Sequence, residues 1–228
     1  MKGTEAEKLF EATFKVLNSG VKSAFTNNKL DKDLLKELQE NIYIFSGAKT
    51  YTQVKDISSL ITDNGKLRSF NNFKKLAKAK FDTYNVDYLS SEYETAIGQA
   101  QSAVKWQQIE RETKLFPYLQ RKAVMDANTS PECVILNEII APVGDPIWRT
   151  RSPLTHFRCR CILTQIDRFE DVKLSSQSKK DAAIEKTKNI NPLFKGNAGM
   201  DKVIFNESHP YFDIEPRDKG LAKRNFNL

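Results

Sequence analysis

"SPLTHFRCRCILTQID", residues 152–167, holds two of the chain's three cysteines and one of its two histidines, with Arg158, Arg160 and the following Arg168 close by. How this turn-and-strand stretch is read decides the fold of the C-terminal half. The third cysteine, Cys133, closes another turn, "NTSPEC". Cys133, His156, Cys159 and Cys161 together form the nitrogen and sulfur donor set of a closed, structural zinc site. One geometric obstacle stands against it. On a regular strand Cys159 and Cys161 face the same way with Cα atoms about 6.6 Å apart, whereas two thiolates on one zinc sit within roughly 4 Å of each other. Both can ligate only if the chain bends there, with Arg158 or Arg160 then pointing outward. Cys133, His156 and Cys159 could also ligate with Cys161 left in the core.

Three other readings of the same residues stay open. The cysteines can be small buried thiols, with His156 bonded to backbone. Cys133 can form a disulfide with Cys159 or Cys161 in oxidising surroundings. Cys133 can be a nucleophile with His156 as base and Asp126 as the third group, the basis of a hydrolase or toxin. No local nucleophile signature accompanies it, and there is no phosphate loop, dinucleotide turn or carboxylate–histidine metal signature. The expectation is a protein without catalytic residues.

Outward from this stretch the chain reads as an ordinary globular protein, 39% hydrophobic and 29% charged over 228 residues, enough to bury a core. No apolar run approaches the roughly 18 residues a membrane helix needs. The opening "MKGTEAEKLFEATFKVLNSG" lacks a secretory pattern, so use without secretion is expected. An odd cysteine count argues against a disulfide framework. The formal charge of +7 is uneven: residues 66–122 carry eleven basic and six acidic groups, whereas residues 1–65 balance at nine each. A basic middle suits DNA phosphates or an acidic protein surface, and it is also what a solvated lysine face looks like.

The N-terminal half is expected to be helical. Leu9, Phe10, Phe14 and Leu17 share a helix face, with Gly20 as a stop. Leu34, Leu35, Leu38 and Ile42 share another, capped by Asp31 or Asp33 and ended by Gly47. "TDNG" at 62–65 is a loop. Phe70, Phe73, Leu76, Ala77 and Phe81 line one face of an amphipathic helix whose Lys74, Lys75, Lys78 and Lys80 lie off it. A longer helix over 88–113 starts at Asp87 or at a Ser91–Glu94 capping box and buries Tyr93, Ile97, Ala100 and Val104. Pro117 closes the helical region. Short strands and loops follow, then a lysine-rich helix within 175–188, then a tail that wraps over the domain or docks on a partner. Trp106, Trp148 and Phe157 are expected in the core; Tyr211, Phe212 and Phe226 are the docking candidates. The fold class is α+β: a mainly helical N-terminal half, a compact strand-and-loop module and an extended tail, divided at 1–65, 66–168 and 169–228.

From residue 66 to 165 the order of features resembles the Mu F-like minor head proteins of phage head morphogenesis. "YETAIGQAQSAVKWQ" (93–107) leads to "FPYLQRKAVMD" (116–126), then to a turn bearing Asp126, Thr129, Ser130 and Cys133. "LNE" (136–138), "GDPIW" with Asp145, Pro146 and Trp148, and "SPLTHFRCRC" with Pro153, His156, Cys159, Arg160 and Cys161 complete the series. Two departures stand out: Glu138 occupies a step where the family often has glycine, and Ser152-Pro153 replaces a double proline. Relatives carry His or Cys at the position of Cys133, an exchange that metal ligation tolerates. The resemblance implies a minor capsid protein of a tailed bacteriophage or prophage. It would sit in the virion at the portal vertex inside the head, partnered by the portal protein and other capsid proteins, and act in head assembly and DNA packaging or ejection. It implies no catalysis and no membrane. The basic helix face would touch packaged DNA through its phosphates without reading sequence; a free, non-sequence-specific DNA-binding protein is the other non-enzymatic alternative.

Overall fold

A computed structural model describes residues 4–25 and 31–226. The fold is α+β, helices dominating the N-terminal half and a small antiparallel sheet following. The chain divides into two compact units, residues 1–97 with 207–228, and residues 98–206. These units cut across the expected breaks at 65 and 168: residues 66–97 pack in the first, and the C-terminal stretch is shared between both. No described helix is long and apolar enough to cross a membrane.

In the first unit, helix α1 (Glu5–Ser23) is capped by Thr4, whose hydroxyl accepts from the Glu7 amide at 3.2 Å. Asp31 rather than Asp33 caps α2 (Lys32–Ser59), accepting from the Asp33 and Leu34 amides at 3.1 and 3.0 Å. Neither Gly20 nor Gly47 stops its helix. A Cβ on Gly20 would lie 2.9 Å from Ile97 Cγ1 and 3.0 Å from Tyr93, so the glycine marks a close approach. Gly47 lies in a run, Phe45 to Tyr51, buried on every side; packing there overrides the glycine penalty of about 1 kcal/mol. "TDNG" is a hairpin instead of a loop. Strands β1 (Thr62–Asp63) and β2 (Lys66–Leu67) flank Asn64 and Gly65, both at positive φ (47° and 78°), the conformation that a two-residue turn matched to strand twist requires.

Helix α3 (Phe70–Asp82) passes through a π-helical turn (Thr83–Tyr88) into α4 (Leu89–Glu112). The caps expected at Asp87 or Ser91 do not form, because residues 83–88 contain no glycine or proline to break the chain, and a π turn shifts the helical phase instead. None of α3's residues is buried, and Phe70 of its apolar face is 74% exposed. Residues 207–226, ending in α9 (Lys219–Phe226), pack back into this unit. Tyr211 is buried, its ring centroid 5.5 Å from that of Phe45 and its hydroxyl donating to Glu92 Oε1 at 3.0 Å. Lys49, fully buried, donates to the Tyr84 carbonyl at 2.7 Å and pairs with Glu92. Burial lowers the Lys49 pKa and raises that of Glu92, each opposed by the other's charge. Two of the three expected docking aromatics are thus engaged, since Phe212 also meets Phe45 at 6.1 Å. The side chain of the third, Phe226, lies outside the described residues.

The second unit is built on β3 (Tyr118–Lys122), the central strand of an antiparallel sheet ordered β4 (Ile140–Pro142), β3, β5 (Ile162–Ile166). Leu119 faces Ala141 on one side and Gln165 on the other. Short helices α5 (Pro131–Leu136) and α6 (Ile147–Thr150) fill the connections, and α7 (Gln177–Lys186) and α8 (Ala198–Asp201) come from the C-terminal stretch. Trp106 and Trp148 are core residues as expected, packed with Ile109, Leu119, Leu136 and Ile139. Phe157 is not: it is 46% exposed and touches Phe194 edge-on at 4.8 Å.

A Cβ on Gly199 would lie 2.3 Å from Trp106 Cβ, an atom fixed to its own backbone. Gly199→Ala is therefore expected to lower unfolding free energy by roughly 1–3 kcal/mol in urea titrations. Gly20→Ala should cost less, because the flexible ends of Ile97 and Tyr93 can shift. In the first unit, burial and then the charge of Lys49 depress His209 from 6.5 to about 4, and its Nδ1 accepts the Tyr211 amide at 3.3 Å. Between those two pH values the unfolded state holds a proton that the folded state lacks. Stability should therefore fall as pH drops from about 6.5 toward 4, by up to about 1.4 kcal/mol per pH unit, and His209→Gln should flatten that slope.

Candidate metal centre

Of the four residues expected, the structure brings Cys133, Cys159 and Cys161 together and sets His156 beside Cys133. Cys133 is delivered by α5: Ser130 caps it, accepting the Cys133 amide at 3.3 Å, and Pro131 occupies the first helical position, a favoured start. "NTSPEC" is thus a helix start as well as a turn. Cys159 and Cys161 precede β5, which begins only at Ile162. Leu154 and Arg158 adopt left-handed backbone, at φ 71° and 58°, and the Cys159 amide donates to the His156 carbonyl at 3.3 Å. The bend required for both sulfurs to converge is present. Cys133 Sγ lies 3.0 Å from Cys161 Sγ and 3.6 Å from Cys159 Sγ, and all three sulfurs lie within 4.8 Å of one another. The cysteines are free thiols, buried to within 9% exposure.

His156 flanks the cluster at Cys133 and lies outside the group of three whose ligand atoms are within 4.8 Å of one another. Its Nε2 is 3.2 Å from Cys133 Sγ, while its Nδ1 lies 2.7 Å from the Phe157 carbonyl oxygen. That carbonyl can only accept, so Nδ1 carries the proton and the Nε2 lone pair faces the sulfurs. A ligating histidine is ordinarily oriented in this way, its second nitrogen donating to a carbonyl or carboxylate. Three buried sulfurs converging, with an imidazole nitrogen 3.2 Å from one of them, fit a thiophilic divalent ion. The sulfurs are electrostatically interdependent: hydrogen bonds from Cys133 and Cys161 pull the Cys159 thiol down, and the same contacts together with burial push Cys161 up.

The surroundings separate ligation from catalysis. Asp126, which a Cys–His–Asp arrangement needs beside His156, is instead held by Arg160 through two bonds of 2.7 Å. That guanidinium, with the Asn128 amide, keeps the Asp126 carboxyl far below the usual carboxylate range. Arg158 and Arg160 are both exposed. Sequence reasoning missed Arg121. It is fully buried, with Nη1 donating to the Arg151 carbonyl at 2.8 Å and Nη2 reaching Thr155 Oγ1 at 3.2 Å and Cys133 Sγ at 3.8 Å. The signal was available, since Arg121 falls two residues after Leu119 on the inward face of β3. Arg151, buried beside it, is satisfied differently: its guanidinium caps the end of α7 through the Ile184 and Thr187 carbonyls at 3.2 and 3.4 Å.

With this geometry in hand, the comparisons with known proteins become informative. The family described as "Phage Mu protein F like protein" matches residues 32–164. The chain belongs to that family. It is 28% identical over 128 residues to the "Putative capsid assembly protein F" of Escherichia phage Mu. The aligned stretch makes up 55% of this chain but 28% of that protein, so the chain spans little more than a quarter of the relative's length. No solved structure matches. Glu138 has a local explanation in the backbone. Its φ of 58° and its amide bond to the Arg121 carbonyl at 2.8 Å place it in a left-handed step beside β3, where glycine is the unstrained residue.

Glu138 is exposed, so its replacement tests backbone strain in isolation. Left-handed backbone costs a non-glycine residue about 1–2 kcal/mol, and glycine gives back roughly 0.5–1 kcal/mol in chain entropy. Glu138→Gly is expected to stabilise the protein by about 0.5–1 kcal/mol, read as a higher urea midpoint with an unchanged slope.

Proposed function

We propose that the protein is a minor head protein of a tailed phage or prophage, which assembles with other capsid proteins and the portal and ends in the virion at the portal vertex. The observation that carries this reading is the family match over residues 32–164, which takes in α2, α3 and α4 as well as the cysteine cluster. Its work there is assembly and the packaging or ejection of DNA. The exposed lysines of α3, Lys74, Lys75 and Lys78, offer non-specific phosphate contacts to packaged DNA. Within this role Cys133, His156, Cys159 and Cys161 hold Zn2+ as a structural clamp. The ion would supply cross-linking of α5 to the loop before β5 and no chemistry on a substrate. Arg160's hold on Asp126 favours this over a nucleophilic Cys133.

Two experiments test the proposal. Deleting the gene from the phage that encodes it should yield heads that assemble poorly or lack DNA by electron microscopy, with plasmid-borne protein restoring filled heads. Normal yields of filled, infectious heads would overturn the assembly role. Purified protein should contain one zinc per chain. At free zinc about a thousandfold above its dissociation constant, linkage contributes about 4 kcal/mol, so stripping the metal with a strong chelator should lower the thermal midpoint by on the order of 10 °C. A metal-free protein with an unchanged midpoint in added zinc would remove the clamp.

A further inference from the structure

A buried arginine ordinarily has a carboxylate to answer it, because an unpaired charge in the interior is costly. Arg121 has none. Among the described residues its hydrogen-bond partners are a carbonyl, a hydroxyl and the sulfur of Cys133, and its Nε, also buried, has no partner. Arg151, by contrast, has the carbonyl end of a helix to face, where partial negative charge collects. The ionisable group among its partners is Cys133, whose sulfur lies 3.8 Å from Nη2.

We infer that Arg121 is the buried counter-ion of an anionic metal–thiolate centre formed by Cys133, His156, Cys159 and Cys161. The inference rests on the zinc reading above and deepens it. Cysteine binds zinc as thiolate and histidine as neutral imidazole. Three thiolates and one divalent cation leave one net negative charge inside the unit, and Arg121 brings a fully buried positive charge to cancel it, whereas Arg158 and Arg160 are exposed. Neither group is well placed without the other. A bare guanidinium beside three neutral thiols is an uncompensated cation, and an anionic zinc centre in a dry interior is an uncompensated anion. β3 fixes the pairing: Arg121 exchanges backbone bonds with Ile139 and Glu138, at 3.0 and 2.8 Å, which anchor its main chain next to the start of β4. Arg121 is thus a positioning and charge-balancing residue for the metal, not a ligand.

The test is zinc affinity, measured by competition against a chromophoric chelator for the full chain and for Arg121→Lys, Arg121→Gln and Arg121→Met. Removing the charge in the Gln and Met variants should weaken zinc binding by roughly 10- to 100-fold, the usual effect of losing an outer-sphere partner. Lys, which keeps the charge and loses the fork, should retain most of the affinity. If Arg121 mattered only as a hydrogen-bonding brace, Gln would do as well as Lys or better, and that ranking overturns the inference. Gln and Met variants that bind zinc as tightly as the wild type overturn it too, while leaving the zinc clamp intact. A wild type that binds no zinc fails the clamp itself. A variant that unfolds without metal still reports, because zinc binding is coupled to folding and its refolding can be titrated with zinc at equilibrium.

Discussion

The second unit is organised around one convergence: three sulfurs from two distant stretches meet, and Arg121 on the inward face of β3 reaches one of them, Cys133. The sheet is small, with strands of five, three and five residues, and the connections around it are long. Its apolar core of Trp106, Leu119, Leu136 and Trp148 settles where α4, β3 and α6 lie. It does not fix the loop from Ser152 to Cys161. That loop carries two left-handed non-glycine residues, Leu154 and Arg158, each a conformation of higher energy, and the reason to hold them is that they turn Cys159 and Cys161 toward Cys133. Strain in the loop and convergence of the sulfurs are two sides of one arrangement.

The first unit has its own polar centre. Lys49 and Glu92 form a buried pair joined by Tyr211 and the Tyr84 carbonyl, so α2, α4 and the returning C-terminal segment share one network. Such pairs add little net stability over apolar packing but are expensive to break by halves. What this one specifies is the docking of residues 207–226, assisted at the rim by Tyr51 with Asp218 at 2.7 Å and Lys55 with Glu215 at 2.7 Å. The aromatic residues that sequence reasoning offered to a partner are largely consumed here. The apolar face left open is that of α3, through Phe70, Leu76 and Phe81.

Helical periodicity made α1, α2, α3 and α4 legible, and cysteine content pointed to the three sulfurs that lie together. The misreadings have physical causes. Gly20 and Gly47 looked like helix ends because glycine is a poor helix former, yet close packing at Gly20 and full burial at Gly47 keep those helices running. "TDNG" carried the signature of a two-residue hairpin, but its strands are too short to show alternation. The π turn at 83–88 leaves no mark of its own in composition. Arg121 was overlooked because a charge on an inward strand position reads as a solvated residue until the strand's register is known. Its counterpart, the departure at Glu138, was visible as an unexpected residue and acquired its meaning from its φ of 58°.

The central claim is that Cys133, His156, Cys159 and Cys161 share one metal ion. X-ray absorption at the zinc edge of the purified protein tests it most directly. The account predicts a first shell of three sulfurs at about 2.3 Å and one nitrogen at about 2.0 Å. A shell of oxygen and nitrogen without sulfur, as zinc held loosely on the surface would give, contradicts it.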